Sequence, residues 1–284
     1  MNSLNTTKKA GNRLPRLAMI NSMAGYGGIS TCVALPVISA MKVQVCPVPT
    51  SILSNHLAFP VCHYQDFTPQ MRDYIGAWES LDLSFDGLYC GFLGSVEQMK
   101  IVEDFLSHFT PSVFLLDPVM GDNGKAYSRI TPEHVTHMRS LIEKAHIITP
   151  NITEACLLTD TTYHAGVWKP EELLTLCAKL SQYTTARIVI TGLEDNHQLT
   201  NYIWQNGVAS TYCVPKTGRS RHGTGDLFAS ILVASALNGI DFEASVKKAA
   251  DFIGLCIRDS EEADIPPLEG VCFEKYLYQL IDFS

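Results

Sequence analysis

The stretch Gly223-Thr224-Gly225-Asp226 combines residue types that could do chemistry directly. The glycines open a segment with apolar residues at 227, 228, 231 and 232, the spacing of one helix face. The N–H groups of a first helical turn have no intrahelical partner, and the dipole there favours an anion. Gly223 and Gly225 would let a phosphate come close to the backbone, with Thr224 between them. A carboxylate is out of place in a site that only binds phosphate. It is needed where phosphoryl is transferred to an alcohol, because a proton acceptor must then stand beside the anion cradle. At this level Asp226 could equally be a helix-start carboxylate that answers the dipole.

A second group of polar residues falls just after apolar runs. Ser22 follows Leu17 to Asn21, and Asp117 ends Phe114-Leu115-Leu116. Thr149, Asn151 and Glu154 follow Ile147-Ile148, and Thr191 follows Val189-Ile190. Singly, each has a plain reading: Thr149-Pro150-Asn151 as a helix cap, Asp117 as a turn before Pro118. Together they would line one edge of a sheet. Asp117 and Glu154 would then offer oxygen ligands, direct or through water, to a hard cation such as Mg²⁺. A glycine-rich loop, Gly121 to Ser128, lies between them. His134 and His137 have no third ligand nearby and read as surface residues. The GxxxxGK[ST] and GxGxxG phosphate signatures are absent.

The elements that must position these residues alternate. Strands are expected at Leu17–Asn21, Val43–Pro49, Phe85–Gly91, Ser112–Asp117, His146–Thr149 and Arg187–Thr191. Helices are expected at Ile29–Met41 (kinked by Pro36), Thr68–Leu81, Ser95–Phe109, from Thr131, and at Ile152–Leu158, Pro170–Tyr183, Gly223–Asn238, Phe242–Asp259 and Val271–Ile281. Asn206-Gly207 joins two strand-like runs as a hairpin. This rhythm predicts α/β architecture: a mainly parallel sheet with helices on both faces and ligands at the carboxyl ends of the strands. Residues 1–14 read as a flexible polar extension and 15–284 as a single domain.

Composition narrows the partners. The 284 residues carry a formal net charge of −8 and no basic block, which argues against nucleic acid as a partner. Arg219 and Arg221 are enough at most for one nucleotide. No apolar span is long enough for a membrane helix. Nine cysteines without a CxxC pair fit a reducing, cytoplasmic setting.

Six stretches, in order, resemble the pyridoxal (vitamin B6) kinases of the ribokinase-like superfamily. They are Asn21-Ser22 with Gly25-Tyr26-Gly27, Leu53-Ser54-Asn55-His56, Gly91-Phe92-Leu93-Gly94-Ser95, Asp117-Pro118-Val119-Met120-Gly121-Asp122, Thr149-Pro150-Asn151 with Glu154-Ala155, and Gly223-Thr224-Gly225-Asp226-Leu227-Phe228-Ala229. The resemblance implies a three-layer α/β/α sandwich and ATP-dependent phosphorylation of the 5′-hydroxymethyl group of pyridoxal, pyridoxamine or pyridoxine. It implies Asp226 as the catalytic aspartate and Gly223, Thr224 and Gly225 as the anion hole. Asp117, Asp122, Thr149, Asn151, Glu154 and Thr191 would surround ATP phosphates and cations, with Tyr127 in the loop closing over the nucleotide. Ser22, His56, Leu57 and Phe92 would line the substrate pocket. ATP, Mg²⁺, a monovalent cation such as K⁺ and a homodimer belong to the same expectation. Leu57 stands where the family usually has Thr, and Phe92 where Tyr is frequent. The segment after Ser22 is one residue shorter than in many relatives. Hydroxymethylpyrimidine kinases share the fold and much of the site, and a non-catalytic vitamer-binding protein is the alternative from another class.

Overall fold

The computed structural model describes residues 13–195 and 197–283. From the amino end, β1 (Arg16–Ala24), α1 (Thr31–Ala40), β2 (Gln44–Leu53), β3 (Tyr64–Asp66), α2 (Thr68–Ser80), β4 (Gly87–Cys90), α3 (Val96–Phe109) and β5 (Val113–Leu116) lead to a small hairpin of β6 (Gly121–Asp122) and β7 (Lys125–Ala126). Then come α4 (Pro132–Lys144), β8 (Ile147–Ile148), α5 (Ile152–Thr159), α6 (Pro170–Leu180), β9 (Arg187–Asp195), β10 (Gln198–Gln205) and β11 (Val208–Pro215). Helices α7 (Thr224–Leu237), α8 (Phe242–Glu262) and the short α9 (Tyr278–Ile281) complete the chain. The main sheet has the order β11-β10-β9-β8-β5-β4-β1-β2-β3. Its centre, from β9 to β2, is parallel throughout. Antiparallel pairing appears only toward the edges, at β2–β3, β9–β10 and β10–β11.

Side-chain alternation along the strands sorts the helices into two layers. Ala18, Ile20, Leu88, Cys90, Phe114, Leu116 and Ile148 are buried in one core with residues of α2 to α6. Leu17, Met19, Tyr89, Val113, Leu115, Ile147 and Val189 are buried in the other with α1, α7 and α8. The fold is the expected three-layer sandwich. The period of two then carries further. Asn21, Gly91, Asp117, Thr149 and Thr191 each stand two residues beyond an α7-side residue: Met19, Tyr89, Leu115, Ile147 and Val189. All five therefore come out on the α7 side at the carboxyl ends of the strands.

Several expected elements differ. Residues 1–12 of the expected extension lie outside the described residues, but Arg13 is tied to Asp86 at 3.0 Å. Helix α1 starts at Thr31 rather than Ile29 and runs through Pro36 without interruption. The glycine-rich loop folds as the β6–β7 hairpin, turned by Asn123 and Gly124 at positive φ. The helix expected over Val271–Ile281 is instead a single 3₁₀ turn, Glu274–Tyr276, followed by α9, with another 3₁₀ turn, Pro267–Glu269, just before it. Polar groups elsewhere hold the backbone of the approach to this segment and its start: Arg221 takes the Ile265 and Gly270 carbonyls, His56 pairs with the Leu268 carbonyl, and Ser260 accepts from the Cys272 N–H. His134, expected at the surface, is buried with Met138, Leu141 and Ile142 on the inner face of α4, a spacing of one helical stripe. All nine cysteines are unpaired.

Candidate active site

The first turn of α7 faces the turn that follows β1. Gly223 has φ +82°, and a Cβ on it would collide with the Gly28 carbonyl oxygen. Only glycine satisfies both demands. This close approach brings Asp226 against the start of α1. One oxygen, Oδ2, accepts from the Ser30 backbone N–H at 2.8 Å; the other, Oδ1, accepts from the Asn21 amide at 3.2 Å. Asn21 is itself fixed, since its Oδ1 accepts from the N–H groups of Ser22 (2.8 Å) and Phe92 (3.0 Å). Gly91 makes room for it: a Cβ there would overlap the Asn21 amide.

Burial pushes the Asp226 carboxyl up from its ordinary value, while the Ser30 N–H, Asn21 and Tyr89 pull it partly back. The raised value makes the group a better base than an ordinary carboxylate. Asp117 lies alongside: its Oδ2 would be 3.8 Å from a Cβ on Gly225. Burial and the Asp226 charge push Asp117 up to about 7, against one stabilising contact from the Thr149 hydroxyl at 3.2 Å. Glu154 is raised well above the usual carboxylate range by burial and then by Asp117.

Glu154 also has a framework task. Asn151 and Glu154 form a capping box: Asn151 Oδ1 accepts from the Glu154 N–H at 2.9 Å, and Glu154 Oε2 accepts from the Asn151 N–H at 2.8 Å. Glu154 Oε1 accepts from the Met120 N–H at 3.1 Å, holding the start of the hairpin loop. The Asn151 amide donates to the Gly121 carbonyl, and the Thr153 hydroxyl accepts from the Gly124 N–H. Thr191 bridges to Asn151 in the ladder, its N–H donating to the Pro150 carbonyl.

Asp122 is exposed and bonded within its own turn to Asn123. Tyr127 is half-exposed; burial and the surrounding carboxylates, Glu154 first, raise its phenol. Arg129 stacks on the Tyr64 ring at 4.5 Å and ties the loop's far end to the sheet edge. Lys125 and Arg129 lie in this exposed segment, so trypsin is expected to cut there in the free protein. ATP with an alcohol substrate should slow the cut if the loop closes over the phosphates. Equal cleavage rates in both conditions, read on a gel time course, would count against closure.

The expected substrate-side residues are less uniform. The Ser22 hydroxyl donates to the hydroxyl of Ser30, the residue whose N–H anchors Asp226, at 2.8 Å. His56 is buried and engaged at both nitrogens, with the Leu268 carbonyl at 2.6 Å and the Ala58 N–H at 3.3 Å. Its ring packs between Phe59 and His222. Phe92 lies partly buried beside Gly94. Leu57 is 55% exposed, at the tip of the same loop as His56. The turn Gly25–Gly28 and residues 265–274 wall a cleft of about 330 Å³.

The structure thus gathers Asp226, Gly223, Thr224, Gly225, Asp117, Thr149, Asn151, Glu154 and Thr191 around the carboxyl ends of the central strands. It adds residues that sequence reasoning left without a role: Asn21, Ser30 and Tyr89. Asn21 and Tyr89 carried a signal, since both alternate onto the α7 face. Ser30 carried none, because its part is played by a backbone N–H. Arg221 is not free for a nucleotide. It is buried, paired with Glu261 at 2.6 Å, and bonded to the carbonyls of the C-terminal segment.

Comparison with known proteins shows the family and the fold. Residues 33–266 match the family described as Phosphomethylpyrimidine kinase. A Bacteroides thetaiotaomicron protein provisionally named a phosphomethylpyrimidine kinase, crystallised with pyridoxal, is 34% identical, with a TM-score of 0.89 over 94% of this chain and 96% of its own. The pyridoxal kinase of Lactobacillus plantarum is 26% identical, with a TM-score of 0.88 over 95% of this chain and 97% of its own. The hydroxymethylpyrimidine/phosphomethylpyrimidine kinase of Aquifex aeolicus is 24% identical over 87% of this chain and 89% of its own. The chain belongs to the phosphomethylpyrimidine kinase family, ribokinase-like kinases of pyridoxal kinase type.

Proposed function

We propose that this chain transfers the γ-phosphoryl group of ATP to the 5′-hydroxymethyl group of a vitamin B6 vitamer, with Asp226 as the proton acceptor. The observation that carries the reading is the Asp226 carboxylate. It is anchored by Ser30 and Asn21 in the first turn of α7, beside the free N–H groups of an anion cradle. The relative at 34% identity, crystallised with pyridoxal, supports a pyridine substrate.

In this reading Asp226 receives the hydroxyl proton as the new O–P bond forms. The bond from the γ-phosphorus to the bridging oxygen of ATP breaks, and ADP leaves. The N–H groups of Gly223 to Asp226 stabilise charge on the group in transit. Asp226 also orients the hydroxyl, which is most of the work in a loose transition state. Ser22 would offer its hydroxyl to the pyridine.

Asp117 and Glu154 fit Mg²⁺: they are buried carboxylates, and the charges that raise them come from other carboxylates. When bound, the ion would neutralise phosphate charge. Both Glu154 oxygens already accept a backbone N–H, so Asp117 is the more available ligand. Among the described residues no group of three or more His, Cys, Asp or Glu could hold a metal unaided, so phosphate oxygens and water would complete the set.

The raised Asp117 value gives a pH test. A carboxyl raised in the fold favours the protonated form, so its contribution to stability is full below about pH 4 and is lost as pH rises through about 7. Mg²⁺ binds the ionised form and should reverse that loss. The gain in melting temperature on adding Mg²⁺ is expected to be small at pH 5.5 and larger at pH 8. A gain independent of pH would remove Asp117 from the metal site.

Turnover with ATP of pyridoxal, pyridoxine, pyridoxamine and hydroxymethylpyrimidine tests the substrate. Preference for the pyrimidine would replace the B6 reading with a thiamine-precursor kinase. Binding of pyridoxal without turnover of any of the four would leave a vitamer-binding protein.

A further inference from the structure

Tyr89 sits in the middle of β4 with its side chain wholly buried, yet its hydroxyl has no partner at full hydrogen-bond geometry among the described residues. It pairs in register with Met19 of β1 on one side and Leu115 of β5 on the other. Two residues further along these strands stand Asn21, Gly91 and Asp117. Because position 91 is glycine, no side chain covers Tyr89 on its own strand. The tier above it holds the Asn21 amide and the carboxylates of Asp226 and Asp117. A buried hydroxyl without a partner is costly, and phenylalanine would fill the same space without that cost.

We infer that Tyr89 is a positioning residue for phosphoryl transfer: its hydroxyl rises from β4 beneath Asp226 and donates to the carboxylate, as Ser30 and Asn21 donate from other directions. After burial itself, the Asp226 and Asp117 charges are what act most on this phenol, which places it against those two carboxylates. Three donors from three elements, β1, β4 and the start of α1, would hold the carboxylate in one orientation. The charges of Asp117 and Asp226 also act on Tyr127 of the loop, after those of Glu154 and Asp122. A base held within a small angular range keeps its lone pair aimed at the substrate hydroxyl, and misplacement costs rate rather than affinity. The inference rests on the reading of Asp226 as the base.

A double-mutant cycle tests it. Tyr89→Phe keeps the ring and its packing. It is expected to lower kcat about ten-fold, the size of a lost hydrogen bond to a charged group. KM for ATP and pyridoxal should stay within about two-fold, and the melting temperature should be unchanged or higher. In an Asp226→Asn background the same substitution should cost little, because the contact it removes acts through the carboxylate. Normal kcat in Tyr89→Phe would overturn the inference. So would an equal loss in both backgrounds, or a loss accompanied by a lower melting temperature and raised KM, which would mark a packing role. The two readings fail separately. An Asp226→Asn enzyme with normal turnover removes the base and Tyr89 with it. A crippled Asp226→Asn beside an intact Tyr89→Phe removes Tyr89 alone.

Discussion

Asp226→Asn is expected to lower turnover by about 10²–10⁴, with ATP binding and melting temperature little changed. The amide preserves the shape, and its oxygen can still accept from the Ser30 N–H or from Asn21. What it loses is the capacity to take a proton. The substrate is a primary alcohol, far too weak an acid to be ionised beforehand, so the proton must leave as the O–P bond forms. Burial has raised the carboxyl, which brings its basicity closer to the working pH. If Asp226 were only a helix-start carboxylate answering the dipole, the result would invert: near-normal turnover with any loss appearing in stability. Kinetics and melting on the same protein separate the two outcomes, and near-normal turnover would remove Asp226 from the mechanism.

Gly223→Ala is expected to damage both rate and stability. The positive φ alone costs a non-glycine residue about 1–3 kcal/mol, and the new methyl group would overlap the Gly28 carbonyl. Relief requires the start of α7 to withdraw from the turn after β1. That movement separates Asp226 from Ser30 and displaces the N–H groups of the anion cradle. Losing one well-placed oxyanion donor costs about 10²–10³ in kcat, so a loss of at least that size should accompany a lower melting temperature. Gly225→Ala is the control. An added Cβ there meets nothing closer than Asp117 Oδ2 at 3.8 Å, an ordinary contact. Its stability should be close to that of the unaltered protein. A Gly223→Ala enzyme with full activity would show that α7 need not touch the β1 turn for the site to work.

Much of the fold and the outline of the site were legible in the sequence because both follow from local periodicity. Apolar runs with a period of two alternate with helical stripes, which requires a parallel sheet covered on both faces. Polar residues placed just after those runs must then emerge at the carboxyl ends of the strands. Asp117, Thr149, Asn151 and Thr191 come together for that reason, and Asp226 joins them because glycines precede a helix. Thr149-Pro150-Asn151 likewise reads as a helix cap, and Asn151 does cap α5, although its reciprocal partner Glu154 emerges only in the structure.

Contacts between distant segments were not legible. His134 looked like one of two spaced surface histidines; its burial depends on which side of α4 meets the sheet. The C-terminal segment looked helical, but Arg221 and His56 hold the carbonyls of Gly270 and Leu268 just before it, and Ser260 takes the Cys272 N–H at its start. The glycine-rich loop became a hairpin whose start is held by Glu154 and Asn151.

By itself, then, the sequence determined the layers of this protein, the strand ends that form its site and the acidic character of that site. Tertiary structure alone decided how Asp226 is held, because its partners lie 196 and 205 residues away along the chain and one of them is a backbone N–H. It also decided that Asp117 is buried close to Asp226, so that burial and the Asp226 charge together raise the Asp117 carboxyl. Residue type fixes what a group can donate or accept. Its distance from a second charge, and the water excluded between them, exist only once the strands and α7 have packed.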